Sequence, residues 1–214
     1  TEQWNAFNIL TQNASTVGAI DLNFLDIDKK NNFNFFDKLN KNQFDLLYLV
    51  GSDNLDFVKR NEFIVYQGSH GDRMTQIADV IIPSPAYTEQ NGLFINLEGR
   101  LQQCIKATYP PGDSLEDWKI FNLLNKYLTN KELFKNFDQL RQETLKQVKN
   151  HSDFDLLPKT EIKELQQKSG EFIDEFITIK EVDYYFSNSI ARASKTMSNC
   201  RAERSKSFKN KTGS

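Results

Sequence analysis

The stretch IVYQGSHGDRMTQIADVIIPSPAYTEQNGLFINLEGRLQQ, from Ile64 to Gln103, decides the reading of the chain. Ile64 to Tyr66 is a short apolar run rich in β-branched and aromatic residues, stopped by the turn residues Gly68 to Asp72. Asp79 to Ile82 is a second such run, cut off by Pro83 and Pro85. Runs of this length, apolar on both faces and bounded by Gly or Pro, suit buried parallel strands. Glu89 to Gly92 forms a loop, after which Leu93 to Ile95 and Leu101 to Ile105 flank a tight loop, Asn96-Leu97-Glu98-Gly99-Arg100.

Working outward, Phe44 to Val50 is a further strand with Gly51-Ser52-Asp53-Asn54 as its turn, and the strand before Gly68 is read from Glu62. Parallel neighbours need a crossover of about a dozen residues, and the gap from Val50 to Phe63 just allows one. Trp4, Phe7, Leu10, Ala14 and Val17 recur at helical spacing, which predicts an amphipathic helix from Glu2 to Gly18. Phe35 to Lys41 reads as a short helix. Pro110-Pro111-Gly112 marks a boundary. Beyond it, Ser114 and Asp117 have capping-box spacing. Apolar periodicity then predicts one helix through Trp118 to Leu128, a second from Lys131 to Lys149 and a third from Thr160 to Phe176. The predicted fold is α/β: a Rossmann-like, mostly parallel sheet in residues 1–109, a helical region in 110–180, and an extended basic tail in 181–214. Half of such a sheet has edges and faces left to cover.

Composition narrows the function. With 17 Phe and 12% aromatic residues the chain can bury a core. A net charge of −2 gives no overall basic field for nucleic acid. Cys104 and Cys200 cannot supply a four-thiolate cluster, and His70 and His151 are the only histidines for a metal site. No run reaches the length of a membrane span.

Two motifs carry a resemblance. Ala78-Asp79-Val80-Ile81-Ile82-Pro83, then Glu89, then Phe94-Ile95-Asn96-Leu97-Glu98-Gly99-Arg100-Leu101-Gln102 is similar to a pattern of the molybdopterin oxidoreductase superfamily. Leu97 departs from it, standing where the family usually has Thr. Tyr66-Gln67-Gly68-Ser69-His70-Gly71-Asp72 narrows the resemblance to the large iron–sulfur subunits of respiratory complex I, in their mitochondrial and α-proteobacterial form. So does the tail segment Ser189-Ile190-Ala191-Arg192-Ala193-Ser194-Lys195-Thr196-Met197-Ser198-Asn199-Cys200. The resemblance implies a subunit that keeps the fold and has lost the pterin cofactor. It implies a scaffold within the peripheral arm, on the matrix side of the mitochondrial inner membrane. Partners would be the cysteine-bearing N-terminal part of the same subunit and other peripheral-arm subunits. This chain would hold no cofactor, while iron–sulfur clusters and FMN would sit in partner chains. The alternatives are a pterin-binding part of a molybdenum oxidoreductase and a free-standing nucleotide-binding module.

Candidate site residues follow from the motifs. Asn96, Glu98, Gly99 and Arg100 are read as a rigid loop: Gly99 permits positive φ, Asn96 can bond its own backbone, and Glu98 can pair with Arg100. Asp79 is read as a turn cap at the opening of a strand. Ser189, Arg192, Ser194 and Met197 are tail interaction candidates. His70 with Asp72 has the composition of a catalytic dyad but no third orienting group, and a polar turn accounts for both. Arg192, Lys195, Arg201, Arg204, Lys206, Lys209 and Lys211 face only Glu203 in the tail, which suits a solvated or partner-bound extension.

Overall fold

A computed structural model describes residues 10–11, 13–24, 35–53, 55–148, 154–157 and 183–212. Their elements, in chain order, are α1 Thr16–Asp21, α2 Phe35–Asn40, β1 Leu46–Val50, β2 Phe63–Gly68, α3 Arg73–Ile77, β3 Val80–Pro83, β4 Gly92–Ile95, β5 Leu101–Cys104, α4 Asp117–Thr129 and α5 Phe137–Gln147. A 3-10 turn Tyr184–Phe186, α6 Ser189–Ala193 and α7 Lys195–Thr212 complete them. This is the expected α/β composition. The chain gathers into two compact units, Thr1–Asp45 with Pro83–Glu164, and Leu46–Ile82 with Leu165–Ser214. The compact units therefore do not follow chain order, because the tail joins the strands.

In the second unit the sheet has the order β1-β2-β3. β1 and β2 are parallel, with Leu46 opposite Phe63 and Val50 opposite Gln67. The crossover between them contains no helix among its described residues. It is closed by other means: Gly51 adopts φ +62°, and the buried Glu62 carboxylate accepts the Arg60 N–H at 3.1 Å. Leu47, Leu49, Ile64, Tyr66 and Met74 are buried. The alternate residues are not: Leu46 is 57% exposed, Phe63 48% and Ile81 52%. Leu46 and Phe63 stand opposite each other and share a face, which also carries the buried Gln67, whereas in β3 both Val80 and Ile81 are exposed, so alternation does not sort that strand into a buried and an open side. The apolar runs form the expected strands, but they are not buried on both faces as the sequence reading expects: Leu46, Val50 and Phe63 are exposed in β1 and β2, and β3 is exposed along most of its length.

In the first unit β4 and β5 form an antiparallel hairpin, with Ile95 opposite Leu101 and Gly92 opposite Cys104. Ile95, Leu101 and Val148 make its core, against which Val17, Leu93 and Leu145 pack. Several boundaries differ from expectation. Gly18 lies inside α1 rather than ending it, and residues 2–9 of the predicted helix fall outside the described set, as does the predicted helix at 160–176. No capping box forms before α4. Ser114 Oγ donates to the Pro111 carbonyl at 2.7 Å, while the Asp117 carboxylate accepts from Ser84 Oγ at 2.6 Å and Gln90 Nε2 at 2.9 Å. α4 begins at Asp117 with Glu116 as its N-cap, so Ser114 lies two residues ahead of the capping position. α5 starts six residues later than predicted, where Asn136 Oδ1 accepts the Gln139 N–H at 2.9 Å.

The tail is helical, which corrects the extended reading. Asn188 Oδ1 caps α6 through the Ala191 N–H at 2.9 Å. The Ser194 carbonyl accepts the Ser198 N–H at 3.0 Å at the start of α7. Ala, Arg, Lys, Glu and Met are good helix formers, so the charged composition that suggests a solvated extension also supports a helix. Arg201 is paired with Asp183 at 2.5 Å and lies over the Phe186 ring, 4.5 Å from its centroid.

Candidate functional site at the strand ends

Open parallel sheets bind ligands beyond the carboxyl ends of their strands. Here those ends carry acid. Asp53 follows β1 and Asp72 follows β2. Between them lies Arg192, brought in by α6. Its Nε donates to Asp72 Oδ2 at 2.5 Å, its Nη2 to Asp53 Oδ2 at 2.9 Å, and its Nη1 to the Phe186 carbonyl at 3.4 Å. Each carboxylate is anchored by its second oxygen. The Tyr66 hydroxyl donates to Asp53 Oδ1, and the Arg73 N–H donates to Asp72 Oδ1 at 2.8 Å, where Asp72 caps α3. The Asp53 carbonyl also accepts the Met74 N–H at 3.1 Å. Asp53 and Tyr66 are buried, and Arg192 is mostly so. Burial and the adjacent Asp53 carboxylate push the Tyr66 hydroxyl above the ordinary tyrosine range, so it stays a donor.

No His70–Asp72 dyad forms. His70 Nδ1 faces Ser69 Oγ at 2.9 Å, and both Asp72 oxygens are engaged elsewhere. Gly68 cannot serve as an open cradle for a phosphate, because a Cβ there would meet the hydroxyl and ring of Tyr66. A dinucleotide's pyrophosphate would meet two carboxylates that share a single guanidinium, a place left net negative. Anion sites are built from N–H groups and cations, so these residues do not fit a pterin dinucleotide. Among the described residues no group of three or more His, Cys, Asp or Glu converges as a metal site.

Asp79 lies in the same unit. Its Oδ2 accepts the Ile64 N–H at 2.8 Å, its Oδ1 accepts from Lys59 Nζ at 2.5 Å, and its own N–H donates to the Ile64 carbonyl at 2.8 Å. It stitches the start of β3 to the start of β2 rather than capping a local turn. The Ile64 N–H, then the Lys59 ammonium, hold its carboxyl below the ordinary range.

The motif loop belongs to the first unit. Asn96 Oδ1 accepts the N–H groups of Glu98 at 3.0 Å and Arg100 at 2.9 Å, and Gly99 adopts φ +83°. Both features match the rigid-loop reading. The Glu98–Arg100 pair does not form. Arg100 Nη1 donates to the Asp155 carbonyl at 2.6 Å, beside a Gln102 Nε2 to Asp155 Oδ1 bond at 3.0 Å, because the turn through Gly99 directs Arg100 along β5. In the tail, Ser189 opens α6, Ser194 lies between α6 and α7, and Met197 is partly exposed on α7. Of these four, Arg192 is the one that reaches the strand ends. Asp53 and Tyr66 have no sequence signal beyond an acidic residue in the turn after each of two strands.

The motif stitch at Asp79, the hairpin and the strand-end turns fall within residues 1–127, which match the family model for molybdopterin oxidoreductase. The chain belongs to that family. Residues 157–200, which include Arg192, match a second model, that of the C-terminal part of the G subunit of NADH-ubiquinone oxidoreductase. The chain is 34% identical over 203 residues to the NADH-ubiquinone oxidoreductase 75 kDa subunit of Reclinomonas americana, covering 94% of this chain and 29% of that protein. It is 32% identical to the mitochondrial NADH-ubiquinone oxidoreductase 78 kDa subunit of Neurospora crassa, covering 94% and 27%. It is 36% identical to the G subunit of NADH-quinone oxidoreductase from Rickettsia conorii, covering 93% and 28%. The chain thus spans under a third of the length of these relatives.

Proposed function

We propose that this chain is a scaffolding part of the peripheral arm of respiratory complex I, which passes electrons from NADH through FMN and iron–sulfur clusters to ubiquinone. The observation that carries the proposal is the Arg192 contact. It joins the segment matched by the NADH-ubiquinone oxidoreductase C-terminal model to the strand ends of the molybdopterin oxidoreductase region. The clusters and flavin are held by partner chains. Cys104 and Cys200 are both free thiols, and two cysteines cannot form a four-thiolate site. The exposed apolar residues Leu46, Phe63 and Ile81 of the sheet are where the cysteine-bearing N-terminal part of the subunit packs. The location that follows is the matrix side of the mitochondrial inner membrane. Among the described residues no helix is long and apolar enough to cross a membrane.

The rival is a pterin-binding part of a molybdenum oxidoreductase, and the carboxylates Asp53 and Asp72 weigh against it. Isolation of the native assembly through a tag on this chain, followed by mass spectrometry and metal analysis, separates the two. The proposal predicts subunits of NADH:ubiquinone reductase with iron in stoichiometric excess. A molybdenum-containing assembly with a bound pterin would overturn it.

A further inference from the structure

We propose that the acidic turns beyond β1 and β2 form a guanidinium site whose resident ligand is the protein's own Arg192, so that the strand ends are filled from within. Three acceptors surround one planar cation: the Asp72 and Asp53 carboxylates and the Phe186 carbonyl. They address Nε, Nη2 and Nη1 separately. A guanidinium presents donors on three nitrogens in a fixed fork, whereas an ammonium concentrates its charge at one. The site therefore selects arginine over lysine by geometry. It also selects a cation by charge, since two carboxylates face one positive group. Both carboxylates are held by bonds independent of Arg192, from the Tyr66 hydroxyl and the Arg73 N–H. The acceptors are thus preorganised, and losing the guanidinium leaves like charges facing one another with Asp53 buried.

The occupant arrives on α6, next to the turn Tyr184–Phe186 that Arg201 holds through Asp183 and the Phe186 ring. Filling the site and seating the tail are consequently one event. This inference does not depend on membership of complex I, because the contacts lie within one unit of the chain.

The test uses the full-length protein in its native assembly and follows hydrogen exchange at residues 66–74 and 184–204. Arg192→Ala should raise exchange in both segments together, roughly tenfold or more, as a shared local opening requires. Arg192→Lys should behave like Arg192→Ala. Millimolar guanidinium chloride, compared with equal sodium chloride, should restore protection at 66–74 in Arg192→Ala but not at 184–204, since the free cation is no longer tied to α6. Wild-type exchange in Arg192→Lys, or no response of 66–74 to guanidinium, would overturn the proposal. Should Arg192→Ala fail to assemble, Asp72→Asn removes one arm and is read in the same way. A rise in both segments supports the site, and an unchanged pattern contradicts it.

Discussion

Asp79 and Ile64, fifteen residues apart, bond to each other twice. The Asp79 carboxylate accepts the Ile64 N–H at 2.8 Å, and the Asp79 N–H donates to the Ile64 carbonyl at 2.8 Å. The pair fixes where β3 begins against β2, and a one-residue slip would turn every β3 side chain to the other face. Asp79→Ala should lower the unfolding midpoint of the chain in its assembly more than Asp79→Asn, which keeps an acceptor for the Ile64 N–H. The pH dependence has a definite sign. The folded carboxyl lies below its ordinary value, so its contribution is present above the ordinary carboxylate range and is lost as pH falls through that range toward the folded value. Thermal melts of wild type and Asp79→Asn between about pH 3 and 7 check it: the gap between them should narrow on acidification, and a constant gap would contradict the assignment.

Gly99 sets the motif hairpin. At φ +83° a β-branched side chain is strained, so Gly99→Val should cost about 1–3 kcal/mol. Gly99→Asn should cost less, because Asn tolerates left-handed backbone better. Equal unfolding midpoints for the two variants would show that the turn relaxes freely.

Glu116 is buried, and burial alone would raise its pKa. Hydrogen bonds from Lys106 Nζ at 2.9 Å and Trp118 Nε1 at 3.0 Å, with Lys119 nearby, outweigh burial and hold it below the ordinary range. Lys106→Met removes the principal partner of a desolvated carboxylate and should destabilise by about 1–3 kcal/mol at neutral pH. The loss should shrink as pH falls through the wild-type folded pKa, where the carboxyl protonates. Urea titrations at neutral and acid pH test this, and a pH-independent loss would contradict it.

Arg100 ties the hairpin to the segment around Asp155 through the 2.6 Å bond to its carbonyl. Arg100→Ala should lower the amount of assembled complex several-fold, as small stability losses do in cells, while turnover per assembled complex stays near wild type. Native gels combined with NADH oxidation per flavin read both. Full assembly with abolished turnover would assign Arg100 to the chemistry instead.

The strands, the hairpin and the motif loop are legible in the sequence because their signals are local. Gly51, Gly68, Pro83 and Gly99 end or turn elements within a few residues of the apolar runs. The strand-end site is not legible as a site. Asp72 and Arg192 are 120 residues apart and Asp53 and Arg192 are 139 apart, so only the folded path brings the tail to the turns. The tail motif singles out Arg192 but not its partners. The composition of the tail suggests a solvated extension, and residues 195–206 are indeed exposed, but they form a helix because their residues are good helix formers. The capping box before α4 fails for a related reason: the helix starts later than the motif implies, with Glu116 as its N-cap, and the Asp117 carboxylate is claimed by the distant Ser84 and by Gln90.

The most direct test of the account is expression of this chain with and without the proposed partner, a cysteine-bearing N-terminal part of the subunit. Leu46, Phe63 and Ile81 are apolar side chains left exposed on the sheet. Each such side chain is worth about 1.5–3 kcal/mol when buried, against a whole-domain stability of about 5–15 kcal/mol. Expressed alone, the chain should be insoluble or a loosely packed oligomer, and co-expression with the cysteine-bearing N-terminal part of the subunit should render it soluble in a stoichiometric complex. A monomer that melts cooperatively from this chain by itself would contradict the account.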